Sequence, residues 1–169
     1  MLVRKATPED SLGIAKVQVD TWKSTYQGIV PDKYLDSMTL KSRDEKWKAI
    51  LNKGTVYVAE EKGTIVGFSS GGSERTGNYP EFQGELYAIY ILKDYQRKGL
   101  GKLLLQPVVN DLIQKNILSM IVVVLEDNPS RYFYESLGAS LLDTVQAEIG
   151  GKQLLERVYG WKDIRKIPL

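Results

Sequence analysis

The chain has 169 residues, 43% apolar and 26% charged, with a formal net charge of +2. That length supports one domain with a real core and is too short for two ordinary ones. The charge is too slight, and Lys/Arg runs too short, to call for a nucleic-acid partner. There is no Cys and no His. This removes Ser-His-Asp and Cys-His catalysis, zinc sites of the usual ligands and thiol redox chemistry, so no metal is expected. Acid–base work must fall to Asp, Glu, Tyr, Lys or water. Any group transfer then fits direct passage between two bound substrates better than a thiol-linked intermediate. No apolar stretch is long enough to span a bilayer, and the first residues lack a signal-peptide core, so no membrane contact and a cytoplasmic location are expected.

Leu2 to Lys5 reads as a first strand. Thr7-Pro8-Glu9-Asp10 is a helix start, with a capping Thr, Pro at the first helical position and acids in the first turn. Leu12, Ala15, Val19 and Trp22 then recur at helical spacing. Gly28 to Pro31 interrupts, Pro31 to Leu35 starts a short second helix, and Ser42 to Leu51 is a third with Trp47, Ile50 and Leu51 on its apolar face. From Val56 the period changes. Val56, Val58, Ile65, Val66 and Phe68 flank a turn at Glu61-Lys62-Gly63-Thr64 and predict a hairpin. Gly71 to Gln83 reads as a loop, Glu85 to Leu92 as a strand, and Leu100 to Ile113 as a helix that Pro107 should bend.

Leu118 to Leu125 is almost wholly apolar, as a strand buried on both faces would be. With the helix before it this forms a strand–helix–strand crossover and hence a parallel pair. Asn128-Pro129 starts a further helix that Gly138 ends. Two last strands, about Ser140 to Ile149 and Gln153 to Trp161, join at Gly150-Gly151. The order predicts an α+β fold with a mixed, mostly antiparallel sheet in one domain spanning 1–169.

The segment Gln96-Arg97-Lys98-Gly99-Leu100-Gly101 lies between a strand and a helix. Such a turn aims backbone N–H groups and the helix dipole at one point, which suits a phosphate. By its spacing alone it serves equally as a tight turn with no ligand. It is not a Walker A loop, because Gly101-Lys102 is followed by Leu103. Nor is it a dinucleotide fingerprint, because Leu104 stands where the third glycine belongs.

Gln96-x-x-Gly99-x-Gly101 resembles the pyrophosphate loop of the GCN5-related N-acetyltransferases, and Phe133-Tyr134-Glu135-x-Leu137-Gly138 is similar to their Phe-Tyr segment. Trp22-x-x-x-Tyr26-x-Gly28-Ile29-Val30-Pro31 resembles one bacterial branch. The resemblance covers nearly the whole chain. It implies the family's acyl-CoA N-acyltransferase fold, whose central strands splay apart between flanking helices, and transfer of acetyl from acetyl-CoA to an amine. It also implies that Gln96, Arg97, Lys98, Gly99, Leu100, Gly101 and Lys102 wrap the CoA pyrophosphate. Tyr90 and Ile91 would pair with the pantetheine arm.

The attacking amine must be neutral. For a lysine-like amine, about 1 molecule in 2,500 is neutral at pH 7, a cost of about 4.6 kcal/mol, so a proton acceptor is required. The resemblance points to Glu85 as that base or as the holder of a water; otherwise Glu85 is a solvated residue at a strand start. It points to Tyr134 as the acid for the departing thiolate; otherwise Tyr134 packs in the core. Asn128 stands one residue later than the family's CoA-contacting Asn. A helix cap is the preferred role for it and CoA contact the alternative.

Tyr26 is the expected acceptor-pocket residue, Arg75 and Tyr79 lie on the loop before Glu85, and Trp22 and Tyr34 read first as core. The acceptor is a small-molecule or protein amine, and the chain a monomer or homodimer. A non-catalytic acyl-CoA-binding regulatory module is the alternative reading.

Overall fold

The computed structural model describes residues 1–169. The hairpin forms where Lys62 and Gly63 both adopt positive φ, 52° and 82°, the backbone twist that joins neighbouring antiparallel strands tightly. It links β2 (Val56–Glu61) to β3 (Thr64–Ser73). With β1 (Leu2–Lys5), β4 (Gly84–Ile91), β5 (Met120–Leu125), β6 (Ser140–Ile149) and β7 (Lys152–Trp161) they make one seven-stranded sheet in the order β1-β2-β3-β4-β5-β7-β6. Only β4 and β5 run parallel; every other neighbouring pair is antiparallel. The crossover between them is α4 (Leu100–Gln114), as parallel pairing requires.

Period-two alternation sends adjacent residues to opposite faces. On one face Val56, Val58 and Phe68 pack with Ile14, Ala15 and Val17 of α1 (Ser11–Tyr26) and Trp47 of α3 (Leu40–Leu51). On the other, Ala59 and Val66 meet Leu100 and Leu104 of α4. Further along that face Leu105, Val108 and Leu112 pack with Met120, Val122, Tyr159 and Trp161, and with Tyr134 and Leu137 at α5 (Arg131–Ser136). The short α2 (Asp32–Ser37) closes a small cluster of Tyr26, Val30, Leu35, Met38 and Leu125 at the sheet's open end. The sheet is therefore α+β, mixed and flanked by helices on both faces. No helix is long and apolar enough to cross a membrane.

Two expectations shift. β3 continues through Gly71 and Gly72, read above as loop. A Cβ on Gly71 would stand 2.6 Å from Val108, and one on Gly72 2.7 Å from the Tyr87 hydroxyl, so these glycines make room for packing. Leu12 and Ile50, expected on buried helix faces, are exposed; α1 turns Ile14 and Val17 inward beside the expected Ala15 and Val19, and α3 contributes Trp47 with Leu51 packed against the same cluster. α4 contains Pro107 and spans Leu100–Gln114, as the sequence predicts to within a residue.

Candidate active site

β4 and β5 pair only where Gly84, Glu85 and Leu86 meet Met120, Ile121 and Val122. A register shift on the β3 side, between Ser70 and Gly71, leaves Tyr87 as an extra residue in β4. Such a bulge bends a strand and raises its twist. Beyond it β4 and β5 have no ladder, and the sheet parts. A cavity of about 140 Å³ opens in the gap, with Trp22, Tyr26, Tyr90, Asn128, Tyr134 and Glu156 in its wall.

The phosphate turn lies at the outer end of β4. A 3-10 turn at Lys93–Tyr95 leads to Gln96, whose amide Nε2 folds back to donate to the Ile91 carbonyl at 2.8 Å. Arg97 and Gly99 then take left-handed φ values of 59° and 83°. The backbone amides of Arg97, Lys98, Gly99, Leu100, Gly101 and Lys102 donate to no acceptor in the protein. They fan out at the α4 N-terminus, where the helix dipole adds positive potential, and form a ready anion cradle. The side chains of Arg97, Lys98 and Lys102 are exposed beside it.

The two glycines have different reasons. Gly99 supplies the left-handed turn and has open space around it, whereas a Cβ on Gly101 would stand 3.0 Å from the Phe133 ring. The loop and the Phe-Tyr segment, far apart in sequence, are thus in contact. Leu100 offers its amide outward and buries its side chain with Ala59, Val66 and Leu104.

Tyr134 is 4% exposed. Its ring packs edge-on to Trp161 with centroids 6.2 Å apart, and its hydroxyl reaches the cavity with no hydrogen bond from the protein. Burial, with the Tyr90 and Tyr26 phenols nearby, pushes its pKa well above the usual phenol value, so it carries its proton at neutral pH.

Tyr26 is 5% exposed, and its hydroxyl accepts from Asn128 Nδ2 at 2.9 Å; burial raises its pKa as well. Asn128 Oδ1 accepts from the Ser130 amide at 2.9 Å. The Asn128 carboxamide therefore ties the turn leading into α5 to Tyr26 and leaves one N–H for anything else, while the N-cap of α5 itself is Ser130. Tyr90 stacks toward Phe68, with ring centroids 5.5 Å apart, and burial raises its phenol too. The Trp22 indole N–H beside it is buried with no hydrogen bond of good geometry.

Glu85 is placed elsewhere. It is 3% exposed and outside the cavity wall. The Arg75 guanidinium grips its Oε2 at 2.7 Å and the Arg75 amide donates to Oε1 at 3.1 Å. It is neither solvated at a strand end nor brought together with Tyr134. Both of its oxygens are thus engaged by Arg75. Arg75 also lies over the Tyr87 ring, 4.2 Å from its centroid, and Tyr79 donates to Asp143 at 3.0 Å.

Glu156 went unnoticed in the sequence. It sits on β7 opposite Leu125. The signal was legible: in Leu154-x-Glu156-x-Val158 an acid shares a strand face with two apolar residues that join buried clusters. Burial raises its carboxyl pKa.

Comparison with known proteins agrees with this architecture. Residues 19–139 match the model of the acetyltransferase (GNAT) family. The uncharacterized N-acetyltransferase YuaI of Bacillus subtilis strain 168 is 42% identical over 165 residues, covering 96% of this chain and 93% of that protein. Over a shorter stretch of 61 residues, 36% of this chain and 42% of the relative, the chain is 36% identical to the ribosomal protein bS18-alanine N-acetyltransferase of Haemophilus influenzae. Among solved structures, an N-acetyltransferase from Staphylococcus aureus Mu50 superposes with a TM-score of 0.74 at 20% identity, over 96% of this chain and 98% of that one. PaiA N-acetyltransferase from Thermoplasma acidophilum, solved in complex with coenzyme A, gives a TM-score of 0.70 at 24% identity, over 92% and 98%. The chain belongs to the GNAT acetyltransferase family.

Proposed function

We propose that residues 1–169 form one N-acetyltransferase domain that moves acetyl from acetyl-CoA directly to a primary amine held in the same complex. The observation that carries this is the run of unpartnered amides from Arg97 to Lys102 at the mouth of a parted sheet, with a protonated tyrosine in the gap. The amides and the three exposed cations suit a pyrophosphate. The unladdered edge of β4 at Tyr90 and Ile91 suits an amide-bearing arm, although the Ile91 carbonyl already accepts from Gln96. The coenzyme A in the Thermoplasma PaiA structure supports the same reading of this fold.

The chemistry assigned to the chain's own residues is short. The backbone cradle fixes the donor. The neutral amine nitrogen bonds to the thioester carbonyl carbon, the C–S bond breaks, and one N–H proton passes to solvent. The departing thiolate takes the Tyr134 proton, which that side chain retains at neutral pH. The ion pair with Arg75 argues for Glu85 as an anchor of the loop before β4. The bS18-alanine relative acts on an alanine of a ribosomal protein, which keeps protein amines among the acceptors. Calorimetry with acetyl-CoA tests the reading; no binding at millimolar ligand refutes it. Thiol release across an amine panel then separates an enzyme from a binding module that acetylates nothing.

A further inference from the structure

We infer that Glu156 recognises the acceptor as a cation and takes its proton, and that the acceptor is a primary ammonium with no carboxylate beside it; this rests on the acetyltransferase reading. Glu156 is the one charged residue in the cavity wall, which includes no Lys or Arg. It is half-buried, and no hydrogen bond or cation within the protein acts on it. Three other part-buried or buried carboxylates are each met by an arginine. Asp10 is held by Arg4, Glu85 by Arg75, and Glu126 by Arg157, which is the next residue to Glu156 but turns to the opposite face.

A half-buried carboxylate without a partner is costly, and such a group at a cavity wall points to a ligand that completes it. The surroundings fit a cation. The Trp22 and Tyr26 rings, with centroids 4.5 Å apart, and the Tyr90 ring line the same cavity, and aromatic surface attracts an ammonium. Asp143 on the neighbouring β6 lies beyond, holding the Tyr79 hydroxyl; the other titratable groups around Glu156 are phenols: Tyr26 on α1, Tyr90 on β4, Tyr134 on α5 and Tyr79 on the loop before β4. Burial raises all four, so they are neutral near pH 7. A free α-amino acid would bring its own carboxylate close to Glu156 with no cation to meet it, and like charges at that range repel.

The proton count closes. The ammonium gives one proton to Glu156 and becomes a neutral amine. The N–C bond forms and the C–S bond breaks. The nitrogen's second proton leaves to water, the thiolate is protonated by Tyr134, Tyr134 regains its proton from solvent, and Glu156 returns to the carboxylate by releasing its proton to solvent.

Three probes of one shape separate the claims: phenethylamine, phenylalanine and 2-phenylethanol, titrated against tryptophan fluorescence of the full chain. Phenethylamine should bind at least tenfold more tightly than either of the others. Glu156→Gln should erase that preference while calorimetric acetyl-CoA affinity stays within about twofold, and Glu156→Asp should keep most of the preference. Thiol release with phenethylamine should fall about a hundredfold in Glu156→Gln at pH 7 and recover as pH approaches the amine's own pKa. Equal binding of phenylalanine and phenethylamine, binding of no probe at 10 mM, an unchanged preference in Glu156→Gln, or an unchanged pH profile overturns the inference. Because the probe preference is read without acetyl-CoA, a protein that fails to bind acetyl-CoA refutes the acetyltransferase reading separately.

Discussion

Replacing Tyr134 by Phe separates chemistry from architecture. The ring is packed against Trp161 and Phe133 and lies in the main apolar cluster, so it supplies the packing. The hydroxyl has no protein hydrogen bond to lose and opens on the cavity. Tyr134→Phe should therefore change stability by no more than about 0.5 kcal/mol, since a net cost of about 1 kcal/mol attaches to hydrogen bonds that are actually made. For a chain of this length that is about 2 °C in Tm or less. Tyr134→Ala, by contrast, empties the ring site and should cost about 3–5 kcal/mol. Turnover tells the other half. Loss of a positioned general acid lowers rate by about 100- to 10,000-fold, or about 2.7–5.4 kcal/mol of barrier at 1.36 kcal/mol per decade.

The assays are thermal unfolding, acetyl-CoA calorimetry and thiol release with the best amine of a panel. The expected pattern is a Phe variant as stable as the parent, with acetyl-CoA affinity retained and turnover nearly gone. Unchanged turnover would remove Tyr134 from the reaction. Unchanged affinity with a Tm drop of many degrees would show that the hydroxyl holds the fold, and the reasoning from its missing hydrogen bond would fail.

Tyr26→Phe should behave oppositely. It strands the buried Asn128 Nδ2 donor, so a stability loss of about 1–3 kcal/mol is expected, and a Tm equal to the parent's would contradict the Asn128–Tyr26 bond. Gly99→Ala forces a Cβ onto a left-handed φ and should cost about 1–2 kcal/mol, while the tilted amides weaken acetyl-CoA binding at least tenfold by calorimetry; normal affinity would remove the loop from the donor site. Asp10 is held well below the ordinary carboxyl range, first by the Arg4 guanidinium and then by the Thr7 amide. A depressed carboxyl stabilises above its unfolded pKa and loses that contribution as pH falls through the folded value. Asp10→Asn should thus cost about 1–3 kcal/mol at pH 7 and converge with the parent in acid unfolding; a penalty that persists below pH 2 contradicts this. Glu156 is the reverse case. Its raised pKa means its ionised form opposes folding above that value, so Glu156→Gln should unfold at a higher temperature than the parent at pH 8 and at the same temperature at pH 3. A variant less stable at pH 8 would show that the charge has a partner.

The sequence by itself determined the elements and their order, because these depend on local signals. Period-two runs gave the strands, Lys62-Gly63 the tight hairpin, and the apolar run at Met120–Leu125 the buried parallel strand. The loop at Gln96–Gly101 was also legible, since a left-handed glycine before an apolar helix is a local requirement. What the sequence left open depended on which distant groups meet. Glu85 looked free until Arg75, ten residues earlier, proved to hold both of its oxygens. Asn128 read first as a helix cap and second as a CoA contact; the structure adds a partner neither reading named, Tyr26, more than a hundred residues away. Gly101 looked like a ligand-binding glycine, and the structure adds the Phe133 ring as a second reason for it. The strand-face pattern around Glu156 was legible, but only the parting of β4 from β5 puts that acid at a cavity wall lined by no Lys or Arg. A carboxylate's role is set by its partners, and partners are a property of the tertiary structure.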